Sequence, residues 1–131
     1  MAYWLLKTDP DTYSYADLER DKKTVWDGVA NNLALIHMRA IRKGDLALIY
    51  HSGDEKCIVG IAEMASNPYP DPKEVNPKLV VVDVKSKQRL TRSIPLSEIK
   101  ANKDFQDFLL VKMGRLSVMP VTDKQWRLLG L

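Results

Sequence analysis

Residues Thr24 to Ser52 read TVWDGVANNLALIHMRAIRKGDLALIYHS, which sets a loop, a helix and a strand in immediate succession. The loop, Val25 to Asn32, puts an indole beside a carboxylate and follows them with Gly28 and two amides. Glycine has no Cβ, so the backbone can turn tightly there. The spacing predicts a helix from about Leu33 to Arg42, because Leu33, Ile36, His37, Ala40 and Ile41 recur at helical intervals and form one apolar stripe. Asn31 or Asn32 suits the N-cap, where a short amide accepts from a free N–H of the first turn. Gly44, after the basic pair Arg42 and Lys43, is a stop signal. Asp45 to Tyr50 then reads as a buried strand ending abruptly in the polar His51 and Ser52. Loop start and strand end are expected to meet and line one pocket.

Upstream, Tyr3 to Lys7 reads as a strand, ended by Thr8-Asp9-Pro10-Asp11, since proline cannot continue a central strand. Ser14 caps a short helix, Tyr15 to Glu19, with Asp17 as the capping-box acid. Asp21-Lys22-Lys23 reads as a solvated break. Downstream, Gly53 to Lys56 forms a hairpin turn and Cys57 to Met64 the return strand, with Gly60 marking a bulge or a close approach. Asn67 to Lys78 holds four of the seven prolines, a long stiffened loop of the kind that often carries function. Leu79 to Val84 is a strong strand, and Arg89 to Ile94 is expected to pair with it across a Lys85–Gln88 turn. Ser97 is expected to cap a helix over Glu98–Asn102, and another helix fits Asp104–Leu110. Leu116 to Val121 suits a last strand, and Thr122 caps a helix ended by Gly130. Hairpins outnumber long crossovers, which argues for an α+β domain: a small, mostly antiparallel barrel flanked by helices, with Leu46, Leu48, Ile58, Ile61, Val80, Val82 and Val118 mostly buried.

The 131 residues suit one domain, and 45% hydrophobic with 28% charged residues is an ordinary globular balance. A net charge of +3 permits nucleic-acid binding without demanding it. One cysteine excludes an internal disulfide and favours a cytoplasmic home, with no signal segment and no run of membrane-spanning length. A monomer is favoured, though composition leaves the oligomeric state open.

Catalytic constellations are thin. One cysteine and two histidines cannot build the usual structural zinc site, so no metal is expected. Phosphate-cradling and nucleophile-elbow motifs are absent. Cys57 and His37 read as core. Asp9 and Asp27 would form an acid pair only if their loops meet, which leaves a small-molecule or nucleotide-binding enzyme as the minority alternative. An interaction module with a vestigial pocket is a further alternative. What remains is an aromatic and amide set: Trp4, Trp26, Tyr50 and Tyr69 as stacking platforms, with Asn31, Asn32, Asp27, Asp9, Thr8, His51 and Ser52 as edge readers. Holding a base out of its stack needs that mixture of a flat π-face with donors and acceptors. Trp4 fits core or pocket equally, and Trp126 reads as helix packing. Trp26 is expected to wall an open pocket, since a loop indole beside Asp-Gly has little reason to be core. Lys22, Lys23, Arg39, Arg42, Lys43, Lys112 and Arg115 fit phosphate contacts or a solvated face equally well.

Several segments together resemble one family. YWLLKTDPDTYSYADL resembles the opening strand and turn of EVE domains, TVWDGVANN their Trp-x-Gly-Val loop, KGDLALIYHS their Lys-x-Gly-Asp strand, and RLSVMPVTDKQW their closing segment. The match runs in order along nearly the whole chain, residues 1–131. It implies a single EVE domain of PUA-like fold, related to the YTH readers of methylated adenine. It also implies a cofactor-free reader of a modified or flipped base in DNA or RNA. Carried over by position, the pocket would comprise Lys7, Thr8, Asp9, Trp26, Asp27, Gly28, Val29, Asn31, Tyr50, His51 and Ser52, closed by Tyr69, with Arg115 and Ser117 close by. Five positions depart from the family pattern. Ala30 stands where arginine is common, Thr8 and Asp9 replace Ser and Glu, Leu79 stands where tryptophan is common, and Gly53 replaces an asparagine.

Overall fold

Strand β1 (Tyr3–Thr8) lies between two strands from distant parts of the chain. In the computed structural model, which describes residues 1–131, it runs parallel to β3 (Leu46–His51) and antiparallel to β7 (Val118–Val121). Strand β4 (Cys57–Met64) returns antiparallel to β3, and β6 (Val80–Pro95) flanks it on the far side. Strand β2 (Lys23–Trp26) takes the outer edge of β6, and the short β5 (Tyr69–Pro70) also pairs with β6. The order is β2-β6-β4-β3-β1-β7, and only the β1–β3 ladder is parallel. The mixed, mostly antiparallel α+β architecture expected from the sequence is observed, with one correction. The sheet is open, because β2 and β7 have no strand on their outer sides. Helix α2 (Asn32–Ala40) packs against both β7 and β6 and bridges the space where a barrel would close.

Leu48, Ile58, Ile61, Val82 and Val118 are buried as expected, and Leu46 and Val80 are half-buried. Trp4 is core. Its indole N–H donates to Asp45 Oδ2 at 2.9 Å, and the same carboxylate accepts from the backbone N–H groups of Arg42 and Ala2. This buried acid has three donors, which offsets its desolvation. Trp126, on α5 (Asp123–Leu128), stacks on Tyr3 with 4.1 Å between centroids. Gly60 is a close approach: the ring of Tyr15 lies where a Cβ would point, and the β3–β4 register shifts beside it.

Several local expectations are corrected. The chain from Lys85 to Gln88 is not a turn but the middle of the single sixteen-residue strand β6. Lys85 and Lys87 look like turn residues because they face outward, where both lie near the carboxylate of Glu63. Val25 and Trp26 are not loop but belong to β2. The stripe on α2 is rotated: Ala34, Leu35, Met38 and Ile41 are buried, while Ile36 is 57% exposed and His37 half-exposed. Asn31 is the N-cap, accepting from Ala34 N–H. Ser14 and Thr122 cap α1 (Tyr15–Asp21) and α5 with full capping boxes. Ser97 instead lies inside α3 (Leu96–Ala101), which starts after Pro95. The helix expected over Asp104–Leu110 is replaced by a 3-10 turn, Lys103–Phe105, and the short α4 (Leu109–Lys112). No helix is long and apolar enough to cross a membrane.

Candidate functional site

Because β1 and β3 are parallel, their C-terminal ends lie side by side, with Lys7 opposite Tyr50 and Thr8 opposite His51. Chains leaving that end are tied down locally. The Thr8 hydroxyl donates to Tyr13 O at 2.6 Å, and Asp9 O accepts from the N–H groups of Thr12 and Tyr13. The Asp9 carboxylate accepts from Asp11 N–H, the work of an ordinary turn residue. Asp27 lines the largest hollow and Asp9 does not, so the two are not brought together there as the minority enzyme alternative would need.

His51 is also committed to the fold. It is buried, its Nε2 accepts from Tyr15 N–H at 3.0 Å, and its Nδ1 faces Glu55 Oε1 at 2.9 Å. An accepting Nε2 leaves the proton on Nδ1, so the ring is the neutral tautomer donating to Glu55. No lone pair or N–H remains for a ligand. Tyr69, expected to close the pocket, instead donates to Asp83 Oδ1 at 2.6 Å, and that bond pushes its phenol up to about 12.

The remaining residues divide among three hollows. The largest, about 430 Å³, is lined by Trp26 and Asp27 together with Thr12, Tyr13, Thr24, Val25 and Lys73. Trp26 is not a free-standing wall. It is 8% exposed, belongs to the core, and meets the Tyr13 ring edge-on at 6.4 Å. Its outer rim forms the floor of the hollow. The second hollow, about 300 Å³, brings Asn31 to Arg115, Lys112 and Gly114. The third, about 200 Å³, brings together Lys7, Tyr50, Ser52, Lys56 and again Gly114. Lys7 Nζ donates to Gly114 O at 2.7 Å and sits 5.5 Å from the Tyr50 ring centroid. Burial lowers the proton affinity of its ammonium. Gly28, with φ of +76°, makes the turn that leads to α2, and Val29 packs on the core.

The expected phosphate contacts do not form one patch. Arg39 donates to Lys78 O and Arg42 to Arg39 O and Ile41 O, while Lys43 N–H binds the Asn67 side chain. Arg42 and Lys43 follow the C-terminal end of α2, whereas Arg115 neighbours Asn31 at its N-terminal end. Lys22 and Lys23 are exposed at the start of β2, the end away from Trp26. Sequence reasoning missed Thr12, Tyr13, Thr24 and Lys73. The only available signal was the proline-rich loop, which carries Lys73 into the largest hollow. No three His, Cys, Asp or Glu side chains converge as a metal site would require.

Residues 2–130 match the EVE domain. Human thymocyte nuclear protein 1 is 30% identical in an alignment that covers 95% of this chain and 71% of that protein. The solution structure of Rpa0253 from Rhodopseudomonas palustris superposes with a TM-score of 0.93 at 42% identity, covering 98% of this chain and 90% of that one. The crystal structure of human THYN1 in complex with 5-methylcytosine-containing DNA superposes with a TM-score of 0.89 at 29% identity, covering 98% and 95%.

Proposed function

The chain belongs to the EVE domain family, and from that premise we propose that it is a non-catalytic module that binds DNA and takes up one modified base, a methylated cytosine being the first candidate. The observation that carries this reading is the hollow at the end of β2. There the rim of Trp26 and the Tyr13 ring meet the Thr12 and Thr24 hydroxyls, the Asp27 carboxylate and the Lys73 ammonium. Its volume of about 430 Å³ falls within the ~300–1,000 Å³ of small-molecule sites. The chemistry suits a cytosine. A carboxylate accepts from the exocyclic N4 amine, hydroxyls and an ammonium donate to N3 and O2, and a 5-methyl group finds Val25 and the indole. The base must leave its stack to enter, and proteins that read single bases accept that cost. The complex of human THYN1 with 5-methylcytosine-containing DNA supports the choice of DNA and of this base.

The test is a tryptophan-fluorescence titration with a duplex carrying one 5-methylcytosine, the same duplex unmodified, and the matching RNA. Preferential quenching by modified DNA, with the oligonucleotide recovered chemically unchanged, is the expected result. Equal response to modified and unmodified DNA removes the base reading. Preference for the RNA changes the partner, and chemical conversion of the base returns the enzyme alternative.

A further inference from the structure

The second and third hollows lie on either side of Gly114, which lines both. Lys7, Lys56, Lys112 and Arg115 line this double hollow, and no aspartate or glutamate lines either part. In a chain with 17 acidic residues, that is a segregated charge. None of the four cations has a carboxylate partner, so no acidic side chain of the chain neutralises them. Lys7 is held by the Gly114 carbonyl and the Tyr50 ring, which leaves two N–H donors for a ligand. Lys56 is fixed at its backbone, since its carbonyl accepts from Leu96 N–H at 2.8 Å and its φ of +47° is imposed by the β3–β4 turn. Asn31 adds an amide, and Ser52 a hydroxyl. A set of unpaired cations with hydroxyl and amide donors around a trough is what phosphate oxygens require.

We propose that this trough carries the phosphodiester backbone, with Lys56 and Lys112 as phosphate contacts alongside Lys7 and Arg115. The proposal rests on the reading that the chain binds nucleic acid. It transfers the electrostatic role from Lys22, Lys23, Arg42 and Lys43, which lie elsewhere, to residues grouped at the C-terminal ends of β1 and β3.

The experiment measures binding of the full chain to the 5-methylcytosine duplex and to its unmodified twin over a salt series, by fluorescence anisotropy. Each phosphate neutralised on B-form DNA contributes about 0.9 to the slope of log K against log salt, so the Lys56→Gln/Lys112→Gln double variant should lose about 1.8. The ratio of modified to unmodified affinity should stay the same, because phosphate contacts carry no base information. The Lys22→Gln/Lys23→Gln variant should keep the wild-type slope. An unchanged slope in the first variant, or an equal loss in the second, overturns the trough. If modified DNA is still preferred while the slope is unchanged, the trough falls and the base reading stands. If the slope falls but neither duplex is preferred, the trough stands and the base reading falls. A wild-type chain that binds neither duplex overturns both.

Discussion

Gly60→Ala is a small change that the structure turns into a large one. The new Cβ would lie no more than 2.7 Å from Cδ1, Cε1 and Cζ of Tyr15. That ring cannot step aside. It is fully buried, its hydroxyl donates to Ile61 O at 2.6 Å, and its backbone N–H is held by His51 Nε2. Overpacking a filled core costs about 1–3 kcal/mol, and displacing the ring also breaks the hydroxyl bond, at about 1 kcal/mol net. The variant should lose roughly 2–4 kcal/mol, which for a chain of this size lowers Tm by about 10 °C. Thermal unfolding followed by circular dichroism reads this directly. Tyr15→Leu, which removes the ring, should make a following Gly60→Ala almost free, giving a coupling of about 2 kcal/mol in the double-mutant cycle. A Gly60→Ala protein that melts within about 2 °C of wild type, or two changes that simply add, would refute the reasoning. Tyr15 also opens α1, just after Thr12 and Tyr13, so a shifted ring should disturb the hollow that those residues line.

Trp26→Ala should act on both stability and binding. Emptying a buried indole costs about 3–5 kcal/mol, and lost stacking weakens modified-DNA binding by roughly tenfold or more; binding unchanged at a temperature where the variant is folded would remove Trp26 from the site. Asp45→Ala strands the Trp4 indole N–H in the core and should cost about 1–3 kcal/mol by urea unfolding, with Asp45→Asn losing less because it keeps one acceptor. Tyr69 titrates late because Asp83 holds its proton, at about 12 against an ordinary value of about 10. The folded state therefore binds the proton more tightly than the unfolded one. Its contribution to stability is fully present below about pH 10 and is lost as pH rises through about 12. Tyr69→Phe should erase the last phenolate step in an absorbance titration.

The strands were legible wherever apolar runs met real turn residues. Cys57–Met64 is bounded as its sequence indicated, because Gly53 and its polar neighbours leave no other reading. Lys85–Gln88 is polar like a turn, yet the segment holds no Gly, Pro, Asn or Asp to make one tight. Its polarity belongs to the solvent face of a long strand beside Glu63. On α2, apolar residues occur on two adjacent faces, so spacing alone could not choose between Ile36 and Met38. The site was half legible. The pairing of Lys7 with Tyr50 and of Asn31 with Arg115 depends on strand order, which no local pattern encodes. His51 and Tyr69 carried the right chemistry for a ligand, but tertiary partners already occupy them.

β1 sits between β3 and β7, and β7 follows it by more than a hundred residues of chain. During synthesis, β1 can gain its β3 ladder early but keeps a bare hydrogen-bonding edge until β7 emerges. At about 5–20 residues per second, that wait is on the order of 10 s. For that interval Tyr3 to Leu6, apolar and unpaired on one side, offers a template to any other extended chain nearby. The architecture that gathers the basic trough at the ends of β1 and β3 thus leaves the nascent chain with a bare strand edge, and changes that weaken β7 should show first as aggregation during expression.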